Sequence, residues 1–218
     1  MLAEQILKVT DKKKKIILED GTSFVLYSGE VRRYHIHEGE EIPDDVLARI
    51  REEVLTKRAK LRCMNLLKSS DRSVRQLSDR LRRDGYPEDI IGAALDYVAS
   101  YHYTDDRRYA ENYIRSASGK KSRKEITLQL RKKGVSGELI EEAFLGLSQE
   151  AAESGLAEEA GDAGAIRKLI EKRHFDAGSA SYEEKQKLLA YLMRKGFSMG
   201  DVLDVLGSLP SDCLDRDV

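Results

Sequence analysis

Tryptophan is missing from the 218-residue sequence, proline occurs three times, and aromatic residues make up only 6% of it. So few ring side chains and turn formers disfavour a β-sandwich or barrel and point to a helical chain, the more so because 35% of the residues are charged. Cysteine occurs twice, as Cys63 in a helical stretch and Cys213 in a polar tail. Two distant cysteines make neither a disulfide framework nor a zinc motif, and a reducing cytoplasm is expected. No apolar run approaches the ~18 residues of a membrane span, and the start "MLAEQILKVTDKKKK" has no signal-peptide core, so a soluble protein with no membrane partner is expected. Net charge is also nearly absent, at −1, which argues against a protein that coats nucleic acid by bulk charge.

The charges that are present are sorted along the chain. From Lys57 to Arg83 ten Lys and Arg face only Asp71 and Asp79, and from Arg107 to Lys133 another ten face only Glu111 and Glu125. Between Glu138 and Asp162 there are eight acids and no base. Two basic blocks followed by an acidic one imply an anionic partner met by part of the molecule.

Residues 1–42 read as a β-rich segment. "QILKVT", "KKKIILED" and "SFVLYS" are apolar, β-branched runs of strand length, and Asp20-Gly21 stands where a tight hairpin needs it. From Pro43 the pattern becomes helical, with Val46, Leu47, Ile50 and Val54 on one face of a connecting helix over 43–57.

Three later segments superpose on their glycines: "SVRQLSDRLRRDGYPEDIIGAAL", "SRKEITLQLRKKGVSGELIEEAF" and "SYEEKQKLLAYLMRKGFSMGDVLDVL". Leu81, Leu130 and Leu192 stand four residues before Gly85, Gly134 and Gly196, and Tyr86, Val135 and Phe197 stand one after. Each segment opens on a capping-box pair, Ser73 with Gln76, Ser122 with Glu125 and Ser181 with Glu184. Each glycine fits the left-handed position that ends a helix. Preceding helices over 58–68, 105–117 and 165–175 complete three-helix repeats, placed at 58–100, 101–147 and 165–209. An acidic, glycine-rich linker at 148–164, an irregular connection whose alanines could also support a short helix, separates the second from the third, and 210–218 form a tail. The fold class expected is mainly α, with three tandem three-helix repeats packed end to end as an elongated monomeric array behind a small β element.

Within the second repeat, "YTDDRRYAENYIRS" couples two carboxylates to two guanidinium groups at positions 105–108. Ala110, Tyr113, Ile114 and Ala117 recur at helical spacing, so the acids are expected at a helix start, with Thr104 or Asp105 as N-cap and Glu111 paired to Arg115. No metal site is expected there.

The same stretch, followed by "SRKEITLQLRKKGVSGELIEEAF" and "KQKLLAYLMRKGF", resembles the RecX family of recombinase regulators over residues 58–207. That resemblance implies a protein with no catalytic activity and no cofactor. It implies binding to the RecA recombinase, along the groove of its filament on single-stranded DNA, and inhibition of ATP hydrolysis, strand exchange and co-protease stimulation, in DNA repair and the SOS response.

The residues themselves supply a candidate contact. Arg75 and Lys124 stand ten before the glycine and Arg82 and Arg131 three before it, which sets each pair on one helical stripe two turns apart. Arg72, Arg83, Arg123, Lys132 and Lys133 extend these two ridges, whereas the third repeat has Gln186 and Met193 on the stripe and keeps Arg194 beside it. Arg pairs with carboxylate and phosphate alike, so direct DNA contact through the ridges stays open, as does a helix-turn-helix-like DNA-binding module. No stacked aromatic pattern is evident among ten tyrosines. The sequence contains neither a phosphate-binding "GxxxxGK[ST]" loop nor a "GxSxG" elbow. His35 and His37 read as one side of a polar strand, and His102 and His174 as helix-end residues.

Overall fold

In a computed structural model of the chain, residues 1–155, 161–176 and 178–208 are described. The chain divides into two compact units, Met1–Asp105 and Asp106–Val218.

Unit 1 opens with an antiparallel sheet of order β1-β2-β3, formed by Ala3–Thr10, Lys13–Leu18 and Ser23–Tyr27. The Asp-Gly turn forms where expected. Gly21 takes φ +80°, and the Asp20 carboxylate accepts from the Thr22 amide and hydroxyl at 2.8 and 2.9 Å, bonds that hold its pKa below the ordinary value. Alternation along the strands buries Ile16, Leu18, Phe24 and Leu26 on the inner face and leaves Leu7 and Val9 about half exposed outside.

The chain turns helical earlier than its β-rich start suggests. α1 (Ser28–Arg33) follows β3 directly, with the Glu30 carboxylate accepting from the Tyr27 amide at 2.8 Å. The expected strand through His35 and His37 is therefore absent. His35 has φ +50° and ends α1, while His37 lies in the loop beyond it. α2 (Asp44–Arg49) starts just after Pro43 and runs through a π-helical segment, Ile50–Thr56, into α3 (Lys57–Ser69). In the π segment the Thr56 hydroxyl donates to the Arg51 carbonyl at 2.8 Å, one way to satisfy a carbonyl displaced from the α-helical ladder. With α4 (Val74–Arg83) and α5 (Glu88–Ser100), α3 makes the first three-helix repeat, and its buried face shares one core with the sheet.

Unit 2 holds α6 (Asp106–Ala117), α7 (Arg123–Lys132) and α8 (Gly137–Glu153), then α9 (Gly161–Glu171), α10 (Tyr182–Arg194) and α11 (Met199–Ser208). Each set of three surrounds its own hydrophobic core. The stretch 148–164, expected to be a linker, is helical over much of its length. α8 continues to Glu153, its Ala151 and Ala152 favouring helix, and α9 begins at Gly161, four residues before the expected start. The linker's residues 156–160, the tail 210–218 and Cys213 lie outside the described residues.

The recurrent Leu, Gly and aromatic or aliphatic positions have one physical cause. In each repeat the residue after the glycine donates its amide to the leucine five residues back: Tyr86 to Leu81, Val135 to Leu130, and Phe197 to Leu192, at 3.1–3.3 Å. The glycine amide bonds the carbonyl three back, which completes a Schellman cap whose outer residue packs on the helix it closes. Close approach makes two of these glycines doubly necessary. A Cβ on Gly85 would stand 2.5 Å from Val25 Cγ2 of β3, and one on Gly196 would stand 2.6 Å from Ser122 Oγ. The same cap recurs with histidine in the left-handed position at His35, His102 and His174, with φ of 50–55°. The last two are thus helix-end residues, as their isolation suggested.

Two of the three capping boxes close on themselves. Ser73 with Gln76 and Ser181 with Glu184 exchange both bonds. Ser122 accepts from the Glu125 amide at 3.1 Å, but its own amide donates to the Lys195 carbonyl at 3.3 Å, and Glu125 accepts instead from Gln129 Nε2. A neighbouring repeat has taken the place of the local partner. The adjacent Arg123 amide donates to Asp162 of α9 at 2.7 Å, so the N-terminus of α7 is where the second and third repeats join.

Candidate functional site

The expected basic residues fall on corresponding helices. Arg75, Arg82 and Arg83 lie on α4, with Arg72 in the turn before it. Arg123, Lys124, Arg131 and Lys132 lie on α7, with Lys133 as its C-cap, and Arg194 ends α10. The helices present these side chains outward because Leu77 and Leu81, or Ile126 and Leu130, occupy the buried stripe.

The two ridges differ electrically. On α4, Asp79 lies between Arg75 and Arg82, 3.8 Å from the first and 3.0 Å from the second. Glu88, at the start of α5, grips Arg82 in a fork with bonds of 2.6 and 2.9 Å. The pair moves both groups toward their charged forms: Arg82 holds the Glu88 pKa down, and Glu88 raises that of Arg82. Arg83 donates to the Asp79 carbonyl at 3.2 Å. Arg72 is partly buried, with its Nε lacking a hydrogen-bond partner among the described residues.

On α7 the positions matching Asp79 and Glu88 are Leu128 and Gly137. Lys124, Arg131 and Lys132 are exposed and have no carboxylate at ion-pair distance among the described residues, and Leu128 stands 47% exposed between them. Arg123 pairs with Glu141 and lies 4.3 Å from the Phe144 ring centroid, and Lys133 lies over Tyr113. The second repeat thus offers cations around an aliphatic side chain, whereas the first answers Arg75 and Arg82 with its own carboxylates.

The acid pair at 105–106 is at a helix start, since α6 begins at Asp106, directly after Asp105. The expected Glu111–Arg115 pair is replaced. Glu111 pairs with Arg107 one turn earlier, at 3.1 Å, and Arg115 reaches Glu150 of α8 at 2.6 Å, because α6 packs along α8. No group of three or more His, Cys, Asp or Glu suited to a metal occurs among the described residues. Cys63 is fully buried, and burial pushes its thiol up to about 11, which makes it a poor nucleophile.

Sequence reading overlooked one aromatic group. Tyr97, Tyr101 and Tyr103 come together at the end of α5, with centroids 5.0 and 5.9 Å apart, and Lys60 of α3 lies over Tyr97. The i, i+4 spacing of the first two was legible. The third joins only because the His102 cap folds the chain back.

Comparison with known proteins bears on the same three repeats. Sequence models described as the first, second and third three-helix domains of RecX match residues 59–97, 105–143 and 162–206. The regulatory protein RecX of Clostridium acetobutylicum is 28% identical over 95% of this chain and 97% of its own length. That of Mycolicibacterium smegmatis is 31% identical over 78% and 88%. A crystal structure of regulatory protein RecX aligns with 92% of this chain and 98% of its own, with a TM-score of 0.55 at 21% identity. RecX from Lactobacillus salivarius aligns with 70% and 95%, with a TM-score of 0.54 at 24% identity. No helix among the described residues is long and apolar enough to cross a membrane. With its three domains matched in order and relatives aligned over most of their lengths, the chain belongs to the RecX family of regulatory proteins.

Proposed function

We propose that this protein binds the RecA recombinase filament on single-stranded DNA and inhibits its ATP hydrolysis, strand exchange and co-protease stimulation, as a cytoplasmic regulator in DNA repair and the SOS response. The ordered match of all three RecX domains carries this reading. The protein acts by occupying the filament and has no reaction of its own.

The exposed basic residues are the proposed contact, with α7 the stronger ridge. Lys124, Arg131 and Lys132 enter an encounter without first breaking an internal ion pair, whereas Arg82 would have to leave Glu88 and Asp79. Leu128 among them adds apolar area that a purely phosphate-directed surface would not need. This favours a protein-containing filament over naked DNA.

The test is the DNA-dependent ATPase of the cognate recombinase. The wild-type protein should inhibit it, and Lys124→Glu/Arg131→Glu/Lys132→Glu should not, while folding stability stays within about 0.5 kcal/mol, as expected for exposed helix positions. Charge changes at Gln186 and Met193 on α10 should do much less. Failure of the wild type to inhibit would sink the regulator reading. Full inhibition by the triple variant would move the contact elsewhere.

A further inference from the structure

Unit 1 carries a concave surface, outside the residues matched by the three domain models on its sheet side. The outer face of the sheet meets the α4–α5 turn at Val25 and Gly85, and a cavity of about 800 Å³ lies along that seam. Lys13, Lys15, Arg51, Arg82 and Arg83 line it, against Asp84, Glu88 and Asp89. A second hollow of about 370 Å³ continues past the same contact, sharing Lys13, Val25 and Tyr86 and adding Arg58, Arg62 and Arg80. The two form one furrow.

Internal pairing does not exhaust the furrow's charge. Glu88 is held by Arg82, Asp89 by Arg51, and the single Asp84 is shared between Arg62 at 2.8 Å and Arg80 at 3.3 Å. Lys13, Lys15 and Arg83 have no carboxylate at ion-pair distance among the described residues. Between the cations the larger cavity sets Val9, Val25 and Pro87 beside Thr10, Thr22 and Ser23, and the smaller sets Leu61 beside Tyr27 and Asn65. Val9 and Leu61 are more than half exposed.

Two classes of polyanion could enter. Single-strand binders join a cationic groove to open aromatic faces on which bases stack. Here the Tyr27 ring already carries Lys13 at 5.5 Å and Arg58 at 4.7 Å, and Tyr86 is largely withdrawn, its hydroxyl pushed up to about 12 by burial. Exposed Val9 and Leu61 among cations that lack a carboxylate suit a chain in which carboxylates alternate with aliphatic side chains. The rim's own arginines show the pairing such a chain would meet, in the fork of Arg82 on Glu88. We infer that the furrow between the outer face of the sheet and the α4–α5 turn docks an extended acidic segment of a partner protein.

This surface is distinct from the α7 ridge, and its test needs no recombinase. A fluorescein-labelled peptide in which Asp and Glu alternate with Leu and Val is titrated with the full-length protein at fixed salt and followed by anisotropy. Oligothymidylate of equal charge serves as competitor. Saturable peptide binding is expected, weakened by about tenfold or more in Lys13→Glu/Lys15→Glu/Arg83→Glu and changed by less than about threefold in Lys124→Glu/Arg131→Glu. The neutral variant Lys13→Gln/Lys15→Gln/Arg83→Gln should lie between, and circular dichroism should show all variants folded. Equal binding by the reversed and parent proteins would overturn the inference. So would oligothymidylate that displaces the peptide and itself loses affinity in the furrow variant, which would make the furrow a nucleic-acid site.

Discussion

Replacing Gly85 with Ala tests the contact that divides the furrow and seats the sheet on the first repeat. Two costs act together. Gly85 has φ +88°, and an L-residue held in the left-handed region costs about 1–2 kcal/mol. The new Cβ would also stand 2.5 Å from Val25 Cγ2, well inside the ~3.5–4.0 Å of ordinary carbon contact, so β3 or the turn must shift at an overpacking cost of about 1–3 kcal/mol. The sum, roughly 2–5 kcal/mol, is a large part of a typical domain's stability of about 5–15 kcal/mol. Gly21 supplies the control. Its φ is +80° with nothing within 4 Å, so Gly21→Ala should show only the conformational cost of about 1–2 kcal/mol. In a Val25→Ala background the clashing methyl is gone and the nearest remaining atom is Val25 Cβ at 3.4 Å, so the excess at Gly85 should fall by about 1–3 kcal/mol as a coupling energy. Because the chain has two units, urea unfolding by circular dichroism should be paired with hydrogen exchange of α4 and β3 amides, which reads unit 1 alone. If Gly85→Ala costs no more than Gly21→Ala, or costs the same with and without the Val25 methyls, the close approach is not what requires glycine.

Asp162 gives a prediction with a sign. Burial, the largest cause, and the charge of Asp201 push its pKa above the ordinary carboxylate value despite the Arg123 amide bond. A raised carboxylate favours the fold when protonated, so that contribution is lost as pH climbs from the unfolded pKa through the folded one. Asp162→Asn keeps an acceptor for Arg123, and should raise the melting temperature of unit 2 at neutral pH with a gain that vanishes below about pH 4. An unchanged or lower Tm at neutral pH would refute the sign. His102 occupies a left-handed cap at φ 55° on an exposed site, so His102→Gly should stabilise unit 1 by about 0.5–1 kcal/mol, the conformational relief less glycine's extra chain entropy. A destabilisation read by thermal melting would show that the imidazole makes a contact worth more than the strain.

Local chemistry made much of this protein legible in its sequence. The three repeats could be found because a Schellman cap places its demands on neighbouring residues: a leucine four before the glycine, the glycine, and an apolar residue after it, as in Leu81, Gly85 and Tyr86. The Asp20-Gly21 hairpin and the Ser73 and Ser181 caps are local in the same sense. Where a partner comes from far along the chain, sequence could only offer the nearest candidate. Ser122 looked like a third closed box, but its amide went to Lys195; Arg115 looked paired to Glu111, but went to Glu150. The basic ridges on α4 and α7 followed from spacing, yet their inequality did not, because Glu88 reaches Arg82 only after the Gly85 turn folds α5 back. The furrow was further still from view, since it exists only where β2 and β3 meet a turn some sixty residues away. Hydrogen-bonding and steric needs that close within one turn of chain are written in sequence, while the field around a charge depends on every group folding brings near it, and that was decided by tertiary packing alone.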